Sequence, residues 1–401
     1  MTLTSLETRA RDRLGEPLIH PTIAAALAAM DAAEVRWCLL RGESKLATLE
    51  GDVDLLVDER DLGRLEHALA DAGGFVVLPA AGRGSHRFYG SYDAGNDGWL
   101  KLDVVTDLAF GRFQELPTAA AGAVLGRRRR FGSLVVPDPS DGFWAELLHT
   151  LFDRRRIRPE HAREVAASAR GAWGRSSPLS AVVDAACPEG WGSGRVLEAA
   201  AAGRWDELEL VGREIRARWP GAGPLVQRAR TDANRGLRKL GAVPAGARTR
   251  GAGLVLLGTD DALRHQLADA IAASWPSRAR ILRAEPAVAA IGAQRRRLSA
   301  ARRALQWRTA RERGELVIAD GDDALGRGRA GAPAGADVVV SLTPGSGLSM
   351  RLEGPRRVEL DAGLSVAALR RVVTEVVATR WAERSLPSGA GGPSSRMRDP
   401  R

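Results

Sequence analysis

Apolar residues change their spacing along the chain, and the changes mark out its parts. PTIAAALAAMDAAE, from residue 21, repeats apolar positions every three to four residues and predicts a helix. The short apolar runs VRWCLLRG and DVDLLVD predict strands, and RDLGRLEHALADAG returns to helical spacing. FVVLPA then leads to HRFYGSY and WLKLDVV, two strand-like runs joined by the turn-rich DAGNDG, which is the pattern of a hairpin. From LVVPDPSDGFWAELLHTLFDRRR to about residue 240 the helical period prevails, interrupted at CPEGWGSG and WPGAGP. In that first helix Ser140 or Asp141 is the expected N-cap. GAVPAGARTRGAG reads as a small-residue linker. Beyond it alternation resumes with LVLLG, a helix, ELVIADG, ADVVVSL and the long helix SVAALRRVVTEVVATRWAER, and LPSGAGGPSSRMRDPR is expected to be a disordered tail. The expected fold class is multidomain α/β. It comprises an α+β domain over residues 1–135, a helical domain over 136–240, a linker over 241–253, an α/β domain over 254–385 and the tail 386–401.

Three aspartates stand out against this pattern. Strand side chains alternate between faces, so Asp52 and Asp54 share one face and Val53 takes the other. Asp103 lies among Leu102, Val104 and Val105 in a run that reads as a half-buried strand. A carboxylate there is costly to bury unless a charge compensates it. Three such groups from two strands make an oxygen-rich cradle suited to magnesium. Lys101 shares Asp103's face and offers the plainer alternative, a structural ion pair. His86 reads as a satisfied structural residue, the run Arg127 to Arg130 as a solvated turn or strand edge, and His149 with Asp153 as a hydrogen-bonded pair on one helix face.

Composition narrows the class. With 401 residues the chain can build two or three cored domains, and 44% apolar with 27% charged residues is ordinary for a globular protein. No apolar run approaches the ~20 residues of a membrane span. The charged N-terminus reads as an amphipathic helix, not a signal peptide. Cys38 and Cys187 lack metal-site spacing, which points to reduced thiols and a cytoplasmic location. The net charge of +10 is almost wholly arginine, lysine being confined to Lys45, Lys101 and Lys239. Aromatics at 5% and the absence of a recognition motif argue against nucleic acid as partner, while a basic groove for triphosphate stays compatible.

Arg41-Gly42, a short loop, Asp52-Val53-Asp54 in an apolar strand and Asp103 on a later strand together resemble the DNA polymerase beta-type nucleotidyltransferase superfamily, over about residues 20 to 115. The resemblance implies a sheet whose carboxylate strands hold two magnesium ions against a nucleoside triphosphate. Asp52, Asp54 and Asp103 would be metal ligands, Asp103 also helping to deprotonate an acceptor hydroxyl. Arg41, Gly42 and Ser44 would serve the nucleotide. The family carries Gly-Ser or Gly-Gly at the turn; here Glu43 separates Gly42 from Ser44.

LVLLG with its loop and helix, then ELVIADG and ADVVVSLTP, resemble the P-loop kinase fold, thymidylate kinase-like proteins in particular. A working loop reads G-x-x-x-x-G-K-[ST], and the aligned octet here is Gly258, Thr259, Asp260, Asp261, Ala262, Leu263, Arg264, His265. The second glycine, the lysine and the hydroxyl are all replaced, and Gly321 follows Asp320 where the family has arginine. A degenerate loop, hence a kinase-shaped pseudokinase domain, is expected. Three readings emerge: a magnesium-dependent nucleotidyltransferase with an open acceptor, a catalytically dead nucleotide-sensing or scaffold protein, and a thymidylate kinase-like enzyme.

Overall fold

A computed structural model of the chain describes residues 18–43, 46–48, 51–80, 83–154, 157–220, 224–240, 251–283, 293–321, 336–344, 349–351 and 356–386. Ser44, the expected N-terminal helix before Leu18, most of the linker and the tail from residue 387 lie outside these residues. The described chain is mixed α/β, with twelve α-helices and several sheets.

The first stretch runs α1 (Pro21–Ala32), β1 (Trp37–Arg41), β2 (Asp52–Val57), α2 (Leu62–Ala72), β3 (Phe75–Leu78), β4 (His86–Asp93) and β5 (Gly98–Val105). These strands form a five-stranded sheet in the order β1-β2-β5-β4-β3. Two short ribbons follow, β6 (Ala109–Phe110) with β7 (Leu116–Pro117), and β8 (Arg129–Phe131) with β9 (Leu134–Val136), flanking α3 (Ala121–Arg127). Six helices come next: α4 (Pro139–Phe152), α5 (Pro159–Ala172), α6 (Pro178–Ala186), α7 (Ser193–Ala201), α8 (Trp205–Ala217) and α9 (Pro224–Leu240). The chain resumes with β10 (Gly253–Gly258), α10 (Asp261–Ser274), β11 (Ala279–Arg283), α11 (Ala293–Glu312), β12 (Leu316–Asp320), β13 (Val338–Thr343), β14 (Ser349–Arg351), β15 (Arg356–Asp361) and α12 (Val366–Ser385).

The chain groups into two compact units. One holds residues 1–65, 80–88 and 101–242; the other holds 66–79, 89–100 and 243–401. In the first, Phe143, Trp144, Leu147 and Leu148 bury the apolar face of α4. Its N-cap is Asp138, not Ser140 or Asp141: the Asp138 carboxylate accepts from the Ser140 amide at 3.1 Å, and Pro139 takes the first helical position. Pro139 has no amide to cap and its ring presets the helical angle, so the cap falls before it, two residues ahead of Ser140. Asp141 is instead buried, accepting from the Ser177 hydroxyl at 2.7 Å and pairing with Arg127 at 3.1 Å. The arginine run is therefore not merely solvated. Arg127 and Arg129 pair with Asp138, and Arg130 pairs with Asp31.

In the second unit a six-stranded sheet runs β11-β12-β10-β13-β15-β14. Its first five members are parallel and β14 closes the edge antiparallel to β15. Val317, Ile318, Val338, Val339 and Val340 are all buried, the continuous apolar run of strands covered on both faces. Trp275 stacks on Trp381 with ring centroids 5.5 Å apart, and Trp99 meets Trp275 edge-on at 5.0 Å.

Candidate functional site

The three aspartates come together through strand register. β2 and β5 are parallel, with Asp54 opposite Asp103 and Asp52 opposite Lys101. Leu55, Leu102 and Val104 are fully buried on the opposite face, so burial of that face fixes the register that presents the carboxylates. The side chains are 40% (Asp52), 23% (Asp54) and 11% (Asp103) exposed, grading from the open end of the row inward.

Each carboxylate has a nitrogen partner of its own. Lys101 Nζ lies 2.9 Å from Asp52 Oδ2, Arg41 Nε lies 3.1 Å from Asp54 Oδ2, and His86 Nδ1 lies 2.5 Å from Asp103 Oδ1. The expected alternative of a Lys101–Asp103 pair gives way to Lys101–Asp52, because those two are register partners and Asp103 is already taken by His86. Arg41 reaches Asp54 through an irregularity. Leu39 stands opposite Leu55, but a bulge before Arg41 shifts the pairing by one, so Arg41 faces Asp54 and not Val53. Gly42 follows with φ +92°, a left-handed conformation that a side chain resists. Behind the row, Phe88 carries Lys101 over its ring at 4.4 Å and stacks with His86 at 5.6 Å.

These donors fit a hard divalent cation in kind: three carboxylates, one face, two adjoining strands. They are not gathered to a point, since among the described residues no three His, Cys, Asp or Glu side chains form a ready cluster for an ion. The difference is the interposed cations. Partly exposed pairs such as Lys101–Asp52 and Arg41–Asp54 are worth only about 0–1 kcal/mol each, so exchanging them for a stronger ligand costs little.

One neighbour was missed by the sequence reading. Glu146 lies on α4 three residues before His149, and burial followed by repulsion from Glu164 pushes its carboxyl up to about 7, against the pull of Arg41 and Arg154. The signal was present as the i, i+3, i+7 stripe Glu146, His149, Asp153 within an apolar helix. His149 Nδ1 lies 2.5 Å from Asp153 Oδ2 as expected, and burial holds the ring's pKa below its ordinary value despite that carboxylate.

The loop after β10, where a degenerate phosphate loop is expected, is filled from within. Arg264 is buried, its Nε 3.2 Å from Asp320 Oδ1 and one Nη 2.6 Å from Asp261 Oδ1, while another donates to the Gly258 carbonyl. His265 and Arg283 each reach Asp320 Oδ2 at 3.3 Å. Asp260 caps α10, accepting from the Leu263 amide at 3.0 Å. At the carboxyl ends of β10 and β12, where open α/β sheets bind ligands, the charge is thus consumed by the chain itself.

No family model matches the chain. No curated protein and no solved structure matches it either. Among the described residues no helix is long and apolar enough to cross a membrane.

Proposed function

We propose that the unit bearing β1, β2 and β5 is a divalent-metal-dependent nucleotidyltransferase, moving a nucleoside monophosphate from a triphosphate to a hydroxyl and releasing pyrophosphate. One observation carries the reading: Asp54 is the cross-strand partner of Asp103, with Asp52 two residues along on the same face. That placement agrees with the resemblance of Gly42, Asp52, Asp54 and Asp103 to the polymerase beta-type superfamily.

Asp52, Asp54 and Asp103 would hold magnesium, which when bound supplies positive charge against the phosphates. Arg41 exchanges its bond to Asp54 for a phosphate oxygen, one charge-assisted contact for another. Lys101 leaves Asp52 at small cost and offers a second counter-charge. Asp103, kept in orientation by His86, takes up the proton of the acceptor hydroxyl. The turn after Gly42 supports backbone approach to the triphosphate. The β10–β15 sheet, in this reading, is a kinase-shaped domain without phosphotransfer, because Arg264 fills its loop.

The test is calorimetric titration of the full chain with a triphosphate, with and without magnesium, followed by pyrophosphate release with hydroxyl acceptors offered. Binding that needs the metal and vanishes in Asp54→Asn and Asp103→Asn is expected; metal-independent binding, or release unchanged in those variants, overturns the proposal. A second reading is an inert nucleotide-sensing or scaffold protein, favoured by the pairing of all three carboxylates with Lys101, Arg41 and His86 of the same chain. Metal-dependent binding without turnover would single it out.

A further inference from the structure

We infer that a cavity of about 270 Å³, between the carboxyl end of α4 and one face of α8, binds a small molecule carrying a single phosphate group. Its lining includes Phe152, Arg154, Glu209, Gly212, Arg213 and Arg216. The last four stand at i, i+3, i+4 and i+7, so one stripe of α8 faces the space. The cavity belongs to the same unit as the aspartate row, and the inference does not rest on the metal-dependent reading of that row.

The charge in this cavity is unevenly matched. Arg216 is tied to the buried carboxylate of Glu115, which also accepts from the Phe113 amide at 3.0 Å. Its guanidinium is held in place with its charge already balanced. Arg154 and Arg213 make no hydrogen bond or ion pair with any described residue. Partial burial and the like charges of Arg41 and Arg158 hold the Arg154 guanidinium below its ordinary pKa against the opposing pull of Glu164 and Glu146, and an anion in the cavity would act in the same direction as those carboxylates. Guanidinium forks match phosphate oxygens two at a time, a geometry that point-charge ammonium groups cannot copy.

Two further features narrow the ligand. Glu209, in the same lining, repels additional anionic groups and can accept from a hydroxyl, so a phosphate ester with free hydroxyls suits the cavity better than a polyphosphate. The volume falls just below the ~300–1,000 Å³ range of drug-sized pockets, which suits a small phosphate ester. Gly212 supplies the open floor. A Cβ placed there would meet Phe152 at 3.8 Å and Leu151 at 3.9 Å, ordinary contacts, so packing does not demand glycine.

Titration of the full chain with inorganic phosphate and with glycerol 3-phosphate, read by calorimetry and thermal midpoint, tests the assignment. Saturable binding of the ester is expected. Arg154→Ala and Arg213→Ala should each weaken it at least 10-fold, and Arg213→Lys should recover only part of the loss. Gly212→Ala should weaken binding while leaving the ligand-free thermal midpoint unchanged or higher, which separates site loss from misfolding. Asp54→Asn should bind the ester as the parent does. No saturable binding of either probe, or binding indifferent to both arginine-to-alanine changes, overturns the inference.

Discussion

Removing the charge of Asp320 should damage the protein more than removing its principal partner. The Asp320 side chain is 0% exposed and takes Arg264 at 3.2 Å, His265 at 3.3 Å and Arg283 at 3.3 Å. In Asp320→Asn an amide oxygen can still accept from the Arg264 guanidinium, 10% exposed, but its buried counter-charge is gone and only the largely exposed Asp261 remains as an anionic partner. Stranding a buried charge in this way costs about 3–5 kcal/mol. Arg264→Met is the milder change, because His265 and Arg283 still compensate Asp320; one lost hydrogen-bonded partner amounts to about 1–2 kcal/mol. At ~2–4 °C per kcal/mol for a unit of this size, the thermal midpoint should fall by roughly 6–20 °C in the first variant and roughly 2–8 °C in the second. Scanning fluorescence can read the transition, since Trp275 and Trp381 are buried in the same unit. An Asp320→Asn protein as stable as Arg264→Met would refute the reasoning. Gain of triphosphate binding in Arg264→Met would show that the guanidinium blocks a working loop and does not replace one.

Asp52→Asn should leave the thermal midpoint within about 4 °C of the parent, since the Lys101 pair it breaks is half-exposed and worth ~0–1 kcal/mol, yet abolish pyrophosphate release; a large stability loss would reassign Asp52 to structure. Glu146 has a folded pKa raised from 4.5 to about 7, so the folded state binds the extra proton between those values and stability falls as pH rises through that window. Up to about 3 kcal/mol rides on it. Comparison of urea midpoints at pH 5 and pH 7.5 should show the decline in the parent and its loss in Glu146→Gln. Burial pushes the Cys38 thiol up to about 12, so a disulfide-exchange reagent at pH 8 should leave it unlabelled in the native chain and label it after unfolding; prompt native labelling would contradict its burial.

Periodicity in the chain carried far. The alternation in DVDLLVD and WLKLDVV was enough to place Asp52 with Asp54 and to set Lys101 beside Asp103 on one face, because strand period is independent of neighbours. Pairing across strands was not legible. Whether Lys101 meets Asp52 or Asp103 depends on a register that only the buried face of the sheet decides, and the bulge that turns Arg41 toward Asp54 leaves no mark in composition. The run Arg127 to Arg130 looked solvated for a similar reason. Its partners Asp138 and Asp31 are near and far in sequence respectively, and only tertiary contact joins them. The helix starting at Pro139 was foreseen from its turn-forming run, with its cap placed too late by not weighing the proline's missing amide. Glu146 was passed over because a single carboxylate among apolar neighbours reads as an exposed edge until the opposing helix is known.

The one-residue shift before Arg41 also limits how this chain can change. Since residues on a strand face opposite ways by turns, an even ladder in which Leu40 paired with Asp54 would send the guanidinium to the side occupied by Leu55 and Val53. Inserting one residue between Gly98 and Asp103 would do the same to the carboxylate of β5. Homologous chains that keep this row of charges should therefore vary freely in loop length after Gly42 while holding the spacing inside β1 and β5 constant.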